Sequence, residues 1–319
     1  MGEAKPENWI RCDETGKEML SRVLSGRPFI IPAPPLHRLP LRLGNVVEIS
    51  GPSNSAKSQV LVQAVVHFIL PKEWAGIQFG GMESKVVFFD LDCRFDVLRL
   101  SQILTHRISE TCGSIKQIAF DELFHDCMSC FLYVRCYSSS DFLSSLKELS
   151  YQIQRKDETI GTGLRLLLID SVGSFHWIDR SNQLRGLCKG KNISPQSLQE
   201  AIVHELHELL LLQPLLVLAT KASLFRTETP NEYQRSSISN STGDRNLLFR
   251  EYMPAVWQSF VTHRIQLHPS DELLSDGSEP IRSYTSDWLQ PSVSIKDRFI
   301  VRDVSAILHF KINKQICKY

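Results

Sequence analysis

Short, almost wholly apolar runs alternate along this chain with longer segments whose apolar positions recur every three or four residues. Val46 to Ser50, Val86-Val87-Phe88-Phe89, Phe131-Leu132-Tyr133-Val134, Leu164 to Ile169 and Leu215 to Ala219 are of the first kind. Continuous apolar runs of this length suit strands buried on both faces. Between them, Gln59 to Leu70, Asp96 to Arg107, Ile115 to Phe124 and Ser197 to Leu212 read as helices, with Val97, Leu100, Ile103 and Leu104 at helical spacing in the second. Ser138 to Asp141 has the composition of a helix cap and predicts a further helix running to about Gln154. Strands alternating with helices predict an α/β fold with a mostly parallel sheet flanked by helices.

The two ends of the chain break this rhythm. A short helix is expected near Lys17 to Leu24, stopped by Gly26. Pro28, Pro32, Pro34, Pro35 and Pro40 then make a strap too proline-dense for regular structure. Residues 1–45 are therefore a helix and strap rather than an independent domain. After Lys221, Ser, Thr, Asn, Glu and Arg replace large apolar residues, so a long polar loop spans residues 222–250. A last segment, Val256 to Leu267, precedes a polar break from His268 to Pro280. Alternating Val293, Ile295, Phe299 and Val301 then suggest an antiparallel hairpin on the sheet edge. The expected organisation is one domain over 46–310, with a tail over 311–319.

At 319 residues with 42% apolar content, the chain can bury a substantial core. A net charge of +1 supplies no global field toward nucleic acid or membrane, so any DNA contact needs a local patch or a partner. No apolar run reaches the length of a membrane span, and the first ten residues lack a signal-peptide core. The eight cysteines are scattered; only Cys127 and Cys130 form C-x-x-C, with no second pair at zinc-finger spacing. These read as idle thiols of a reducing compartment. His204-Glu205-Leu206-His207-Glu208 lacks H-E-x-x-H spacing and reads as a solvated helix face.

The chemistry concentrates after the first strand. Gly51-Pro52-Ser53-Asn54-Ser55-Ala56-Lys57-Ser58 matches G-x-x-x-x-G-K-[ST] at Gly51, Lys57 and Ser58, with Ala56 in place of the second glycine. A strand, a small-residue loop and a helix N-terminus together make a phosphate cradle. Backbone N–H groups wrap the phosphates, the lysine reaches the terminal ones, and the serine hydroxyl faces Mg²⁺. Asp170 ends the buried strand Leu166 to Ile169, where a carboxylate would orient the ion and its waters. A second acidic strand end lies at Asp90-Leu91-Asp92.

Together with Ile69-Leu70-Pro71-Lys72, Phe95 to Leu100, Trp177-Ile178-Asp179-Arg180 and Ala255 to Arg264, this arrangement resembles the RecA-like DNA recombinases and their eukaryotic paralogues. The resemblance covers roughly Glu14 to Leu267. It implies a RecA-like ATPase core with C-terminal antiparallel strands, lacking the recombinases' N-terminal helical DNA-binding domain. ATP and Mg²⁺ are the implied cofactors, with Ser58 and, through water, Asp170 as metal ligands. It further implies nuclear work in homologous recombination and double-strand break repair, somatic and meiotic, inside a hetero-oligomer of paralogues. The D-type paralogue is the expected direct neighbour, and single-stranded or branched DNA is met through the complex.

The departures from the family pattern point to weak hydrolysis or none. Asp92 stands where active recombinases carry the Glu base, and one methylene is roughly 1.5 Å. Ala222 falls at the sensor glutamine. Ala56 crowds a loop that favours glycine, which Asn54, tolerant of left-handed backbone, is expected to offset. Two family loops facing DNA would fall near Arg180 to Pro195 and Arg226 to Met253. Arg180, Arg185, Lys189 and Lys191 in the first carry no neighbouring carboxylate and are candidate phosphate contacts. The second loop mixes both signs, Glu251 among them, and reads as solvated surface. Two alternatives stay open: an autonomous DNA-stimulated ATPase with strand-exchange activity, and a small-molecule kinase, whose lid and base have no evident counterpart.

Overall fold

The computed structural model describes residues 15–26, 29–30, 34–112, 117–155, 163–184, 195–225, 249–275, 280–293 and 295–301. The elements run in chain order from helix α1 (Gly16–Gly26) through β1 (Phe29–Ile30), a 3-10 turn at Leu36–Arg38, β2 (Leu41–Arg42), β3 (Val46–Gly51) and α2 (Lys57–Ile69). A small hairpin, β4 (Glu73–Trp74) and β5 (Ile77–Gln78), leads to β6 (Lys85–Asp90), α3 (Val97–Cys112), α4 (Gln117–Ser129), β7 (Phe131–Arg135) and α5 (Ser139–Gln154). Then come β8 (Leu164–Asp170), α6 (His176–Leu184), α7 (Pro195–Leu212), β9 (Leu216–Ala222), β10 (Leu224–Phe225) and β11 (Phe249–Arg250). The last elements are α8 (Ala255–Phe260), β12 (His263–Ser275), β13 (Pro280–Gln290) and β14 (Lys296–Ile300).

Among the described residues the main sheet has eight strands in the order β14-β13-β12-β3-β9-β8-β6-β7. From β12 to β7 every neighbouring pair is parallel, while β13 and β14 add antiparallel strands at one edge. The α/β, mostly parallel expectation holds. Successive residues of a strand face opposite sides, and this explains the unbroken apolar runs. Val86, Phe88, Leu166 and Leu168 enter the core under α2 and α3, while Val87, Phe89, Leu167 and Ile169 enter the core under α5 and α7. Each such fully buried side chain contributes about 1.5–3 kcal/mol, so a polar residue at any of them would be felt. Ser138 caps α5 as expected, its hydroxyl accepting the Asp141 amide at 3.1 Å.

Three features depart from the sequence reading. The proline-dense strap is partly regular: β1 pairs with β2, and Ile30, Leu36 and Leu41 are buried in the same core as β3. Arg38 clamps the strap to β14 through two hydrogen bonds to Asp297, at 2.8 and 2.7 Å. The expected polar break from His268 to Pro280 is largely strand, with β12 running to Ser275 and β13 starting at Pro280. Antiparallel pairing satisfies the backbone there with few apolar side chains, so composition misleads; the register shifts between Pro269 and Leu273. The edge hairpin exists, but its arms are β13 and β14, and Val293 and Ile295 lie in the connection between them. Most of the DNA-facing loop expected near Arg180 to Pro195 and most of the 222–250 loop lie outside the described residues, as does the tail.

Five histidines, His37, His67, His176, His263 and His268, have pKa values pushed down, each first of all because burial penalises the charged ring. A base with a lowered folded-state pKa leaves the unfolded chain holding more protons just below the ordinary value of about 6.5. Stability is therefore complete above that value and is lost as pH falls through the folded values. Melting curves between neutral and mildly acid pH should show a progressive drop in midpoint; a flat profile would contradict it.

Candidate functional site

The phosphate loop lies between β3 and α2, at the end of the sheet where all the parallel strands finish. Gly51 has no room for a side chain: a Cβ there would lie 2.5 Å from the Leu267 carbonyl oxygen. Ala56, next to the first helical residue, adopts the left-handed conformation with φ 64° and ψ 19°. The strained position is thus Ala56 itself, and Asn54 is not among the left-handed residues, contrary to the expected compensation. A side chain in that region costs roughly 1–2 kcal/mol, which is why glycine is the usual occupant.

Lys57 is buried and folds back over the loop, its Nζ donating to the Gly51 carbonyl at 2.9 Å and to the Pro52 carbonyl, with Ser55 Oγ at 3.4 Å. Burial pushes its pKa down, while the charges of Asp170 and Asp92 oppose that shift. Ser55 closes the loop, its hydroxyl donating to Pro52 O at 2.8 Å. Ser58 donates to Asp170 Oδ2 at 2.7 Å, and Thr220 donates to Asp170 Oδ1. Burial raises the Asp170 pKa; the two hydroxyls pull it back, and the Asp92 and Asp90 charges push it further up. A buried ammonium and a half-buried carboxylate, each disfavoured in its charged form, are what an anionic phosphate and a cation would respectively relieve.

Asp90 and Asp92, two residues apart, do different work. Asp90 is buried and accepts from the amides of Arg94 and Phe95 and from Tyr133 Oη at 2.8 Å, so it fixes the turn after β6. Asp92 is exposed, its amide and that of Leu91 both donate to the Asp170 carbonyl, and its Oδ1 accepts from the Ser174 hydroxyl. Ala222 pairs with Gly51 at the loop's edge and offers only a methyl group. Sequence reasoning missed Thr220 and Ser174. Thr220 could be found only by knowing that β9 lies beside β8, a pairing no local pattern encodes.

On the other sheet face, behind the loop, Glu48 is 2% exposed and binds three partners. Lys221 Nζ lies 2.7 Å from its Oε1, Trp257 Nε1 donates to its Oε2 at 2.6 Å, and Arg264 Nε stands 3.7 Å away. Lys221 also pairs with Glu251 at 2.7 Å, so Glu251 belongs to this network rather than to a solvated loop. Of the candidate DNA contacts, Arg180 is exposed on α6, beside Trp177, which stacks on Tyr252 at 6.3 Å between centroids. Arg185, Lys189 and Lys191 lie outside the described residues. Cys127 is buried with its thiol pushed up to about 12 by burial, and among the described residues no cluster of three or more His, Cys, Asp or Glu side chains could hold a metal. No described helix is long and apolar enough to cross a membrane.

The Ser58 hydroxyl and Asp170 carboxylate converge on one point with hard oxygen donors, as Mg²⁺ requires. The loop amides, the α2 N-terminus and Lys57 could hold the phosphates of ATP, with the ion supplying charge neutralisation between them.

No protein-family model matches the chain. The DNA repair protein XRCC2 homolog of Arabidopsis thaliana is 45% identical, across 98% of this chain and 92% of its own length. DNA repair protein XRCC2 of Mus musculus is 29% identical, across 92% of this chain and 96% of its own. DNA repair protein RAD51 homolog 2 of the same species is 26% identical over 47% of the chain and 38% of its own length.

Proposed function

The chain belongs to the XRCC2 family of RAD51 paralogues, and on that premise we propose that it is an ATP-binding subunit of a paralogue complex in DNA repair. The complex acts in homologous recombination and double-strand break repair, in somatic and meiotic nuclei, by assisting the strand-exchange recombinase. This chain binds Mg-ATP through Gly51 to Ser58 with Asp170, and it hydrolyses ATP weakly or not at all. The D-type paralogue is its direct neighbour, and single-stranded or branched DNA is reached through the complex, with Arg180, Arg185, Lys189 and Lys191 as contacts. The domain is residues 46–310, preceded by the strap and followed by the tail.

The observation that carries this reading is the Ser58–Asp170 hydrogen bond beside a buried Lys57. It supports nucleotide binding, whereas Asp92 and Ala222 support poor turnover. The same intact trio favours a second reading, an autonomous DNA-stimulated ATPase with strand-exchange activity. Turnover separates the two: the first predicts that the purified protein with single-stranded DNA stays well below ~1 s⁻¹, the low end for enzymes.

Partner dependence is the other test. Val97 and Leu98 on α3, Tyr137 before α5, and Trp177 and Ile178 on α6 are all exposed apolar side chains. Large exposed apolar surface promotes association, and near-zero net charge gives little colloidal protection. Expressed alone, the chain should aggregate or form mixed oligomers, and co-expression with the D-type paralogue should give a defined heterodimer. A monodisperse monomer that ignores that partner at micromolar concentration, by sedimentation, would end the proposal.

A further inference from the structure

Asp92, the weak candidate base of the proposed ATP site, is not free. It accepts a hydrogen bond from Ser174, in the turn between β8 and α6. The Ser174 hydroxyl has a single proton and two further oxygens around it, the Ser171 carbonyl at 2.7 Å and the Ser171 hydroxyl at 3.1 Å. A charged carboxylate is a stronger acceptor than a neutral carbonyl. The proton therefore goes to Asp92, and the Ser171 hydroxyl can donate to Ser174 in turn.

The turn that carries Ser174 is itself fixed. The Ser174 amide donates to Ser171 O at 3.2 Å and the His176 amide to Gly173 O at 3.1 Å. Tyr252 fills the space over Gly173, where a Cβ would lie 2.6 Å from the phenol oxygen. His176 packs edge-on against the same ring, at 5.2 Å between centroids. Ser174 thus sits on a clamped turn, and the Asp92 side chain is the member of the pair that adjusts.

We propose that Ser174 is a positioning residue that ties one carboxylate oxygen of Asp92 to the α6 turn, withholding it from the water it would otherwise activate. Asp92 is already one methylene shorter than a glutamate, and the tether takes from it the freedom to make up that reach. A general base contributes by accepting a proton within hydrogen-bond distance, and an oxygen occupied by a serine donor accepts less readily. The inference rests on the nucleotide-binding reading above and names what keeps that site slow.

Steady-state phosphate release from Mg-ATP by the purified full chain tests it, beside binding of a fluorescent ribose-labelled ATP analogue. Ser174→Ala should raise kcat about tenfold while KM stays within about twofold, because only the chemical step gains. Ser174→Thr, which keeps the hydroxyl, should return kcat to the wild-type value. An unchanged kcat in Ser174→Ala, or kcat and KM worsening together with a lower melting temperature, overturns the inference and marks Ser174 as structural. Analogue binding with no turnover in either variant also overturns it but leaves the nucleotide-binding reading standing. No analogue binding by the wild-type chain sinks both.

Discussion

Lys221→Met should destabilise the protein by about 3–5 kcal/mol, the usual cost of removing one partner from a buried ion pair. The side chains of Lys221 and Glu48 are 8% and 2% exposed, so water cannot replace the lost contact. Glu48 would keep the Trp257 donor and the more distant Arg264, neither of which restores the charge at 2.7 Å that Lys221 supplies. Domains are stable by only about 5–15 kcal/mol in total, so such a loss takes a large share. In urea, with a denaturant slope near 3 kcal/mol/M, the midpoint should fall by about 1–1.7 M. Trp257 is wholly buried against Glu48 and reports the transition by its fluorescence. Glu48→Met combined with Lys221→Met should recover only part of the loss, since it removes the charge stranded on Glu48 but leaves Glu251 and the buried Trp257 donor without their partners. A single Lys221→Met variant within 1 kcal/mol of wild type, roughly the worth of an exposed pair, would mean that the network is effectively solvated.

That network also shows where sequence reading runs out. Glu48 passes as a member of the first apolar run and Lys221 only as the point after which composition changes, because nothing local distinguishes a buried charge from an exposed one. Their pairing follows from β9 lying beside β3, which brings Lys221 opposite Ser50. The parallel core was legible for the opposite reason. Runs such as Leu166 to Ile169 are apolar on both faces, and only a strand covered on both sides requires that. The phosphate loop was legible from Gly51, Lys57 and Ser58, and Asp170 from its place at a strand end. The left-handed residue was misplaced: chemistry favoured Asn54, but the loop's connection to α2 demands that backbone at Ala56. The polar ribbon of β12 and β13 was misjudged because antiparallel pairing is enforced by the backbone, and side-chain composition hardly reports it.

Mg-ATP should raise the melting temperature of the wild-type protein by about 5 °C, and Lys57→Ala should abolish that rise. A ligand at 100 times its dissociation constant adds about 2.7 kcal/mol, and for a chain of this size each kcal/mol moves the midpoint by about 2 °C. Lys57 now spends its ammonium on the Gly51 and Pro52 carbonyls, and a terminal phosphate offers a charged acceptor in their place. Without nucleotide, Lys57→Ala should cost little, because the lowered pKa of a buried lysine already marks its charge as poorly accommodated. Ala56→Gly should act in the opposite sense, mainly on the bound state. It removes a left-handed side chain worth roughly 1–2 kcal/mol of strain, but gives back about 0.4–1 kcal/mol through the freer unfolded chain. The apo melting temperature should therefore rise only slightly. The nucleotide-dependent rise should exceed that of wild type, because the loop amides gain closer approach to the phosphates. Paired melting curves of the three proteins, with and without Mg-ATP, decide it. An identical curve for the wild-type protein with and without nucleotide would show that Ala56 has closed the cradle, and a Lys57→Ala variant that keeps the full rise would place the nucleotide somewhere other than the loop between β3 and α2.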